Sequence, residues 1–315
     1  MKRFVWIFSQ FLLALFLRHA HCEEVTTKEE NASSGIRAIF LFKDVLKSNT
    51  TALLTSGFNS FIIFGVGILA DGGIMYYSNT PGSKDTLIAT NGSYVGSAAL
   101  ADKVRSFKSA DAGGSSSNRV EISMNAQHVR DLMRSPGAGT DTPIYRNFVA
   151  LREAWGLDAV NDDDESIYDA SSKAAFAKML GTAGYHYTVA PYTNGNFWVN
   201  LKTKLEGSSS SSSSSNGTSQ APLLDRVYLQ CYDGGAENKP GSWQSALGMK
   251  VVPLVWVTND SKPSQGTTAA QAESRFRAWN SASTLAGAGY WNDFDIEKNR
   301  LSYKAYGDVL TTLFP

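Results

Sequence analysis

The chain has 315 residues, 43% hydrophobic and 18% charged, enough apolar material for a sizeable core and too little charge for a disordered chain. Lys+Arg and Asp+Glu each number 29, giving a formal charge of zero, so no global field favours nucleic acid or an anionic membrane surface. The length suits one large domain or two modest ones.

In the first segment, MKRFVWIFSQFLLALFLRHAHCEE, Lys2 and Arg3 precede an apolar run from Phe4 to Leu17, and small residues suited to cleavage follow near Ala20 to Cys22. This layout predicts a signal peptide over residues 1–22, since a spanning helix needs a longer run. Its removal leaves Cys231 as the sole thiol, without an intramolecular disulfide. No Cys/His cluster has metal-ligand spacing, so no metal site is expected. Five Asn-x-Ser/Thr sequons, at Asn31, Asn49, Asn91, Asn216 and Asn259, behind such a leader predict a secreted, extracellular glycoprotein. Residues 23–35 are polar and predict a flexible segment.

From residue 36 to 315, β-type runs alternate with amphipathic helical patterns. The runs are IRAIFLF, SFIIFGVGI, RVEISMNA, GLDAVND, YHYTVAPY, RVYLQCY, KVVPLVWV and AGAGYWNDF. Several are continuously apolar, as expected of strands buried on both faces of a parallel sheet. Leu100, Val104 and Phe107 mark a helix before the third run. Between the third and fourth, Thr142 is placed to cap a helix, Pro143 suits its first turn and Gly156 its end. Ile144, Phe148, Leu151 and Trp155 line one face of that helix. Further helices are predicted at about 171–180 and 268–280 from their patterns.

Eight strands separated mainly by helices predict an α/β fold, a single-domain (β/α)8 TIM barrel. An open doubly wound sheet is the competitor, but no Gly-rich nucleotide loop follows an early strand. The serine tract at 207–219 cannot bury a core and is expected to be a disordered surface loop within the domain.

The fourth strand runs into four consecutive acids, Asp162 to Glu165. In a barrel, functional side chains sit at the C-terminal strand ends. Strand alternation puts Asn161, Asp163 and Glu165 on one face and Asp162 and Asp164 on the other. If the first set faces the axis, two carboxyls converge, and each raises the pKa of the other, which favours a protonated Glu165 as general acid. A solvated acidic loop is the alternative; a calcium loop would need glycine where Ser166 stands.

The spacing Asp158, Asn161, Asp163, Glu165 resembles the D-x-x-D-x-D-x-E signature of family-18 glycoside hydrolases, the chitinases and endo-β-N-acetylglucosaminidases. YLQCYDGG on the sixth strand is similar to that family's Q-x-Y-[DN] segment, through Gln230, Tyr232 and Asp233. GAGYWNDFD on the eighth places Trp291 at the family's sugar-stacking tryptophan. The resemblance implies substrate-assisted retaining hydrolysis of β-1,4-linked N-acetylglucosamine, in chitin or the N-glycan core, with no cofactor. Glu165 would protonate the glycosidic oxygen and Asp163 would orient the substrate's acetamido group, which supplies the nucleophile; such enzymes depart from the two-carboxylate scheme. Tyr232 would hydrogen-bond the acetamido oxygen, Gln230 and Asp233 would hold the sugar, and Trp291 would floor it.

The sequence departs from the family pattern in three places. Asn161 replaces an aspartate, and its amide is expected to hydrogen-bond Asp163. Asp162 and Asp164 replace apolar residues, so the strand either ends early or pairs them with bases. Asn125 stands in place of a glycine on the third strand. Trp198, in TNGNFW, is expected to stack on sugar from a loop, while Cys231 should point away from the axis. A catalytically silent glycan-binding lectin on the same barrel is the second reading. Either version would act as a monomer on an N-acetylglucosamine-containing saccharide.

Overall fold

The computed structural model describes residues 35–109, 118–207 and 222–315. The leader, Cys22, the sequons Asn31 and Asn216 and most of the serine tract lie outside the described residues. The strands are β1 (Ile36–Leu41), β2 (Ser60–Ile68), β3 (Ile74–Tyr76), β4 (Thr86–Thr90), β5 (Ser93–Tyr94), β6 (Arg119–Asn125), β7 (Ala159–Asp162), β8 (His186–Val189), β9 (Leu224–Gln230), β10 (Val252–Trp256) and β11 (Gly287–Trp291). Eight of them, β1, β2 and β6 to β11, run parallel, and β1 pairs with both β2 and β11, closing a (β/α)8 barrel. These eight correspond one to one with the eight β-type runs. Their continuous apolarity has the expected cause: Ile39, Ile122, Val160 and Leu229 face the helices, while Ala38, Phe40, Ile62 and Leu254 fill the interior.

The outer helices follow from local signals. In Pro143–Trp155 the Thr142 hydroxyl accepts from the Tyr145 N–H, and Gly156 closes the helix at φ +68°, a left-handed conformation that glycine adopts without strain. Ile144, Phe148, Leu151 and Trp155 are all buried beneath it. Helices Ala170–Thr182 and Ala269–Ala282 lie where the periodicity put them. Among the described residues no helix is long and apolar enough to cross a membrane.

One departure shapes the mouth. After β2 the chain makes an antiparallel ladder, β3 to β5, before the next helix. Asn147 pins two of its turns, accepting from the Gly92 N–H at 2.8 Å and donating to the Gly72 carbonyl at 2.7 Å. The ladder also docks on the loop after β1, where the Asp44 N–H donates to Thr80 Oγ1 at 2.8 Å.

The lower barrel interior is polar. Fully buried Glu121 accepts from Arg119 Nε at 2.7 Å, from the Tyr228 hydroxyl at 2.8 Å and from the Thr188 hydroxyl at 2.7 Å. Arg119 is itself clamped by both oxygens of Asp225, at 2.6 and 2.9 Å. A buried carboxylate persists only with such compensation.

Candidate functional site

A cleft of about 640 Å³ opens at the C-terminal ends of the barrel strands, bringing Asp163, Glu165, Gln230, Tyr232, Asp233 and Trp291 to one wall system. The acid run is divided between two environments. Asp162 and Asp164 turn towards helix Ala170–Thr182, where Lys173, 1% exposed, sits 2.8 Å from each. The Tyr187 hydroxyl donates to Asp162, and the Ser166 and Ile167 N–H groups donate to Asp164 at 2.9 and 2.8 Å. Both alternatives for these acids therefore hold: the strand ends at Asp162, and a base pairs the two carboxylates. Burial alone would raise the Asp164 pKa, but Lys173 and the two N–H groups outweigh it and hold it below the usual carboxylate range.

Asp163 and Glu165 face the cleft. Burial, then the charges of Glu165, Asp162 and Asp164, push the Asp163 carboxyl up to about 8. Glu165 stands open at the mouth; partial burial and the charge of Asp233 raise its pKa, partly offset by the Gln230 amide. The larger upward shift thus falls on Asp163, where the sequence pointed to Glu165 as the protonated member. Neighbouring carboxyls of this kind share a proton, with one poised to deliver it to an oxygen in the cleft.

β9 supplies the opposite wall. The Gln230 amide donates to Asp163 Oδ1 at 3.1 Å and to the Ala190 carbonyl at 2.8 Å, which fixes which end of the amide faces the acids. Tyr232 is buried; burial and the charges of Asp163 and Glu165 raise its pKa well above the phenol range, so its hydroxyl remains a donor. Cys231, between them, is fully buried on the helix-facing side, as alternation required. Trp291 lies nearly parallel to the Tyr232 ring, at 16° and 6.4 Å between centroids. Phe40, Phe42 and Phe64 brace it at 5.6, 5.5 and 4.8 Å, so the indole is held as a rigid floor. Asp233 sits exposed on the rim, ion-paired with Lys262.

Two expectations, for Asn161 and Trp198, are corrected. Asn161 is not bonded to Asp163: its amide donates to Thr188 Oγ1 at 3.0 Å, and its own oxygen, buried, has no hydrogen-bond partner among the described residues. Asp158 also lies apart from the cleft, ion-paired with Lys108 at 2.6 Å near the strand's N-terminal end. Trp198 does not reach the cleft. It falls in helix Gly195–Glu206, which buries Phe197, Trp198, Leu201 and Leu205, and its Nε1 donates to the Thr193 carbonyl at 3.0 Å. That helical spacing was present in the sequence and outweighs the loop-like TNG before it.

Other residues enter the cleft as well. Trp256 ends β10 facing inward, edge-on to Tyr232 at 5.9 Å, with its Nε1 donating to buried Asp295 at 2.7 Å. Alternation from Leu254 would have found it. Tyr77 and Asn79 line the β2 side from the antiparallel ladder, which no short motif announces. Their close approach needs Gly65, at φ +88°, where a Cβ would lie 2.6 Å from the Tyr77 carbonyl oxygen. Ser123 and Asn125 line the β6 side. Among the described residues no group of three His, Cys, Asp or Glu side chains is placed to hold a metal ion.

No protein-family model matches the chain, and no curated protein sequence does. Solved structures do match in fold. A family 18 chitinase from Crocus vernus aligns with a TM-score of 0.55 at 12% identity, over 88% of this chain and 98% of that one. The catalytic domain of a family GH18 chitinase from the fern Peteris ryukyuensis aligns at 0.55 and 15%, over 88% and 98%. A chitinase from Rhizomucor miehei aligns at 0.54 and 12%, over 88% and 99%. The fold is that of the family-18 chitinases.

Proposed function

We propose that the protein is a glycoside hydrolase that cleaves β-1,4-linked N-acetylglucosamine with retention, using the substrate's acetamido group as nucleophile. The observation that carries this reading is the convergence of Asp163, Glu165, Gln230, Tyr232 and Trp291 on one cleft at the barrel's C-terminal mouth. Trp291 floors the sugar, and Glu165, the open member of the pair, delivers a proton to the glycosidic oxygen. As that bond breaks, the acetamido oxygen bonds to the anomeric carbon. Asp163 orients the acetamido N–H and stabilises the cationic ring, the Tyr232 hydroxyl donates to the acetamido oxygen, and Gln230 keeps Asp163 in place. Water then opens the ring, returning its proton to Glu165. Asp233 holds sugar hydroxyls at the rim, and the pathway needs no cofactor.

The leader layout and the sequons support secretion, after which the protein would meet chitin or N-glycans as a monomer. Incubation with chitin oligosaccharides and, separately, with a high-mannose glycopeptide, followed by mass spectrometry, tests the activity and identifies the substrate. Glu165→Gln keeps the side chain's shape and removes its proton, so turnover should fall by about 10² to 10⁴ while saccharide affinity stays within a few-fold. Saccharide binding without cleavage by the wild type would replace the hydrolase with the lectin. Undiminished cleavage by Glu165→Gln would remove the acid run from the chemistry.

A further inference from the structure

The GVGI segment that ends β2 takes no part in the chemistry above, yet it shapes one side of the cleft. Between Ile63 and Val66 the strand carries one residue more than β6 opposite it, a bulge that keeps Val66 against the helices and turns Gly67 to the inward side, with Phe64. Gly67 has no side chain to fill that side. Tyr77, just past the end of β3, lays its ring there instead, and a Cβ on Gly67 would collide with Tyr77 Cε2. The register explains the placement: Met75 pairs with Gly67, so Tyr77, two residues on, shares that face of the ladder. The backbone is fixed at the same point, because the Tyr77 N–H donates to the Gly65 carbonyl at 2.7 Å. The segment beyond is held too: the Ser78 N–H donates to Asp85 Oδ1 at 3.1 Å, and Thr80 Oγ1 accepts from the Asp44 N–H at 2.8 Å. Despite this anchoring Tyr77 remains 37% exposed, on the wall of the cleft. A rigidly held ring open to a cleft is a preformed stacking surface.

We propose that Tyr77, carried by the β3–β5 ladder and seated on Gly67, is a specificity-determining residue: it stacks on a sugar beyond the one on Trp291, so that the cleft selects extended N-acetylglucosamine oligomers over the disaccharide. The two aromatic surfaces are separate. Phe64 braces Trp291 at 4.8 Å between ring centroids, whereas Gly67, beneath Tyr77, lies three residues further along β2, about 8–10 Å at the rise of a bulged strand. That exceeds the span of one pyranose ring, so the two surfaces serve different sugars of one chain. A β-1,4-linked N-acetylglucosamine carries C–H bonds on its ring faces and its polar groups around its edge, which suits a phenol face on one side. The inference rests on the saccharide reading of the cleft but uses none of the residues assigned to bond cleavage.

The test is calorimetry on the full-length Glu165→Gln protein, used so that the saccharides survive the titration, with fully N-acetylated chitobiose and chitopentaose as ligands. The pentamer should bind the more tightly. Adding Tyr77→Ala should weaken the pentamer about 10-fold, the scale of one stacking contact, and the disaccharide by less than about two-fold. Tyr77→Phe keeps the ring and should retain pentamer affinity, while Gly67→Ala, whose methyl group displaces the ring, should reproduce the loss. An unchanged pentamer affinity in Tyr77→Ala, or equal losses for both saccharides, overturns the proposal and leaves the hydrolase reading standing. Binding of neither saccharide, by this protein or by the wild type, removes both. Should the alanine variants not fold, NMR of the ring-labelled Glu165→Gln protein decides. The Tyr77 ring resonances, identified by their loss in Tyr77→Phe, should shift as the pentamer binds, and resonances unmoved at saturation overturn the proposal equally.

Discussion

Replacing Lys173 by methionine isolates the force that divides the acid run. The ammonium lies 2.8 Å from Asp162 and from Asp164, with side-chain exposures of 1%, 0% and 3% for the three groups. Removing one partner of a buried ion pair costs about 3–5 kcal/mol, because the remaining charge is stranded. Here Tyr187 still donates to Asp162, and two N–H groups still donate to Asp164. These donors place Lys173→Met at the lower end, about 3 kcal/mol, equivalent to a fall in Tm of about 6–12 °C for a domain of this size. The pH dependence gives a second signature. Asp164 has a depressed pKa in the fold, so its contribution is present above the unfolded value near 3.9 and lost as pH falls through the folded pKa. In the variant that depression disappears, so the deficit should be greatest at neutral pH and close as pH falls below about 4. Urea unfolding of both proteins between pH 3 and 8 reads both effects. A deficit under about 1 kcal/mol at pH 7, or one constant with pH, would refute the assignment of Lys173 as the sink for the two outer carboxylates.

Asp163 has the opposite sign: its folded pKa, about 8, lies above the unfolded value. Between roughly pH 4 and 8 the folded protein holds a proton that the unfolded chain has released, so this group's contribution falls as pH rises through that window. Asp163→Asn should therefore gain stability relative to the wild type across it, on the order of 2 kcal/mol, and parallel profiles in a denaturant series would contradict this. Trp256→Ala should weaken binding of chitin oligosaccharides about 10- to 100-fold, the scale of one lost stacking wall, as read by calorimetry. Trp198→Ala should instead cost about 3–5 kcal/mol of stability and leave the affinity of the folded fraction unchanged. Expressed through a eukaryotic secretory route, the protein should carry glycan at exposed Asn49 and Asn91 and none at Asn259. That residue is 4% exposed, with its Nδ2 donating to the Val257 carbonyl at 3.2 Å. Glycopeptide mapping distinguishes the three sites.

The barrel could be read from the chain because its signals are local. Strands buried on both faces must be apolar along their length, and Thr142, Pro143 and Gly156 bracket a helix whatever surrounds it. Alternation put Asp163 and Glu165 on one face, because the side-chain period of a strand is two, and the family resemblance marked Gln230, Tyr232 and Trp291, which the closed barrel brings to the same mouth. The cost of burying a lone charge left Asp162 and Asp164 two routes, an early strand end or a base. Which base was beyond the sequence: Lys173 meets them only because helix Ala170–Thr182 packs back over β7. The same limit explains the errors. Trp198 and Trp256 are both aromatic residues near the ends of barrel strands in sequence, and one is core while the other is wall, a difference set by which surface covers each. The partner of Asn161 was likewise decided across the barrel, by Thr188 on β8 and Glu121 on β6. Hydrogen bonds between strands distant in sequence leave no periodic trace in either one, so only the closed barrel assigns them.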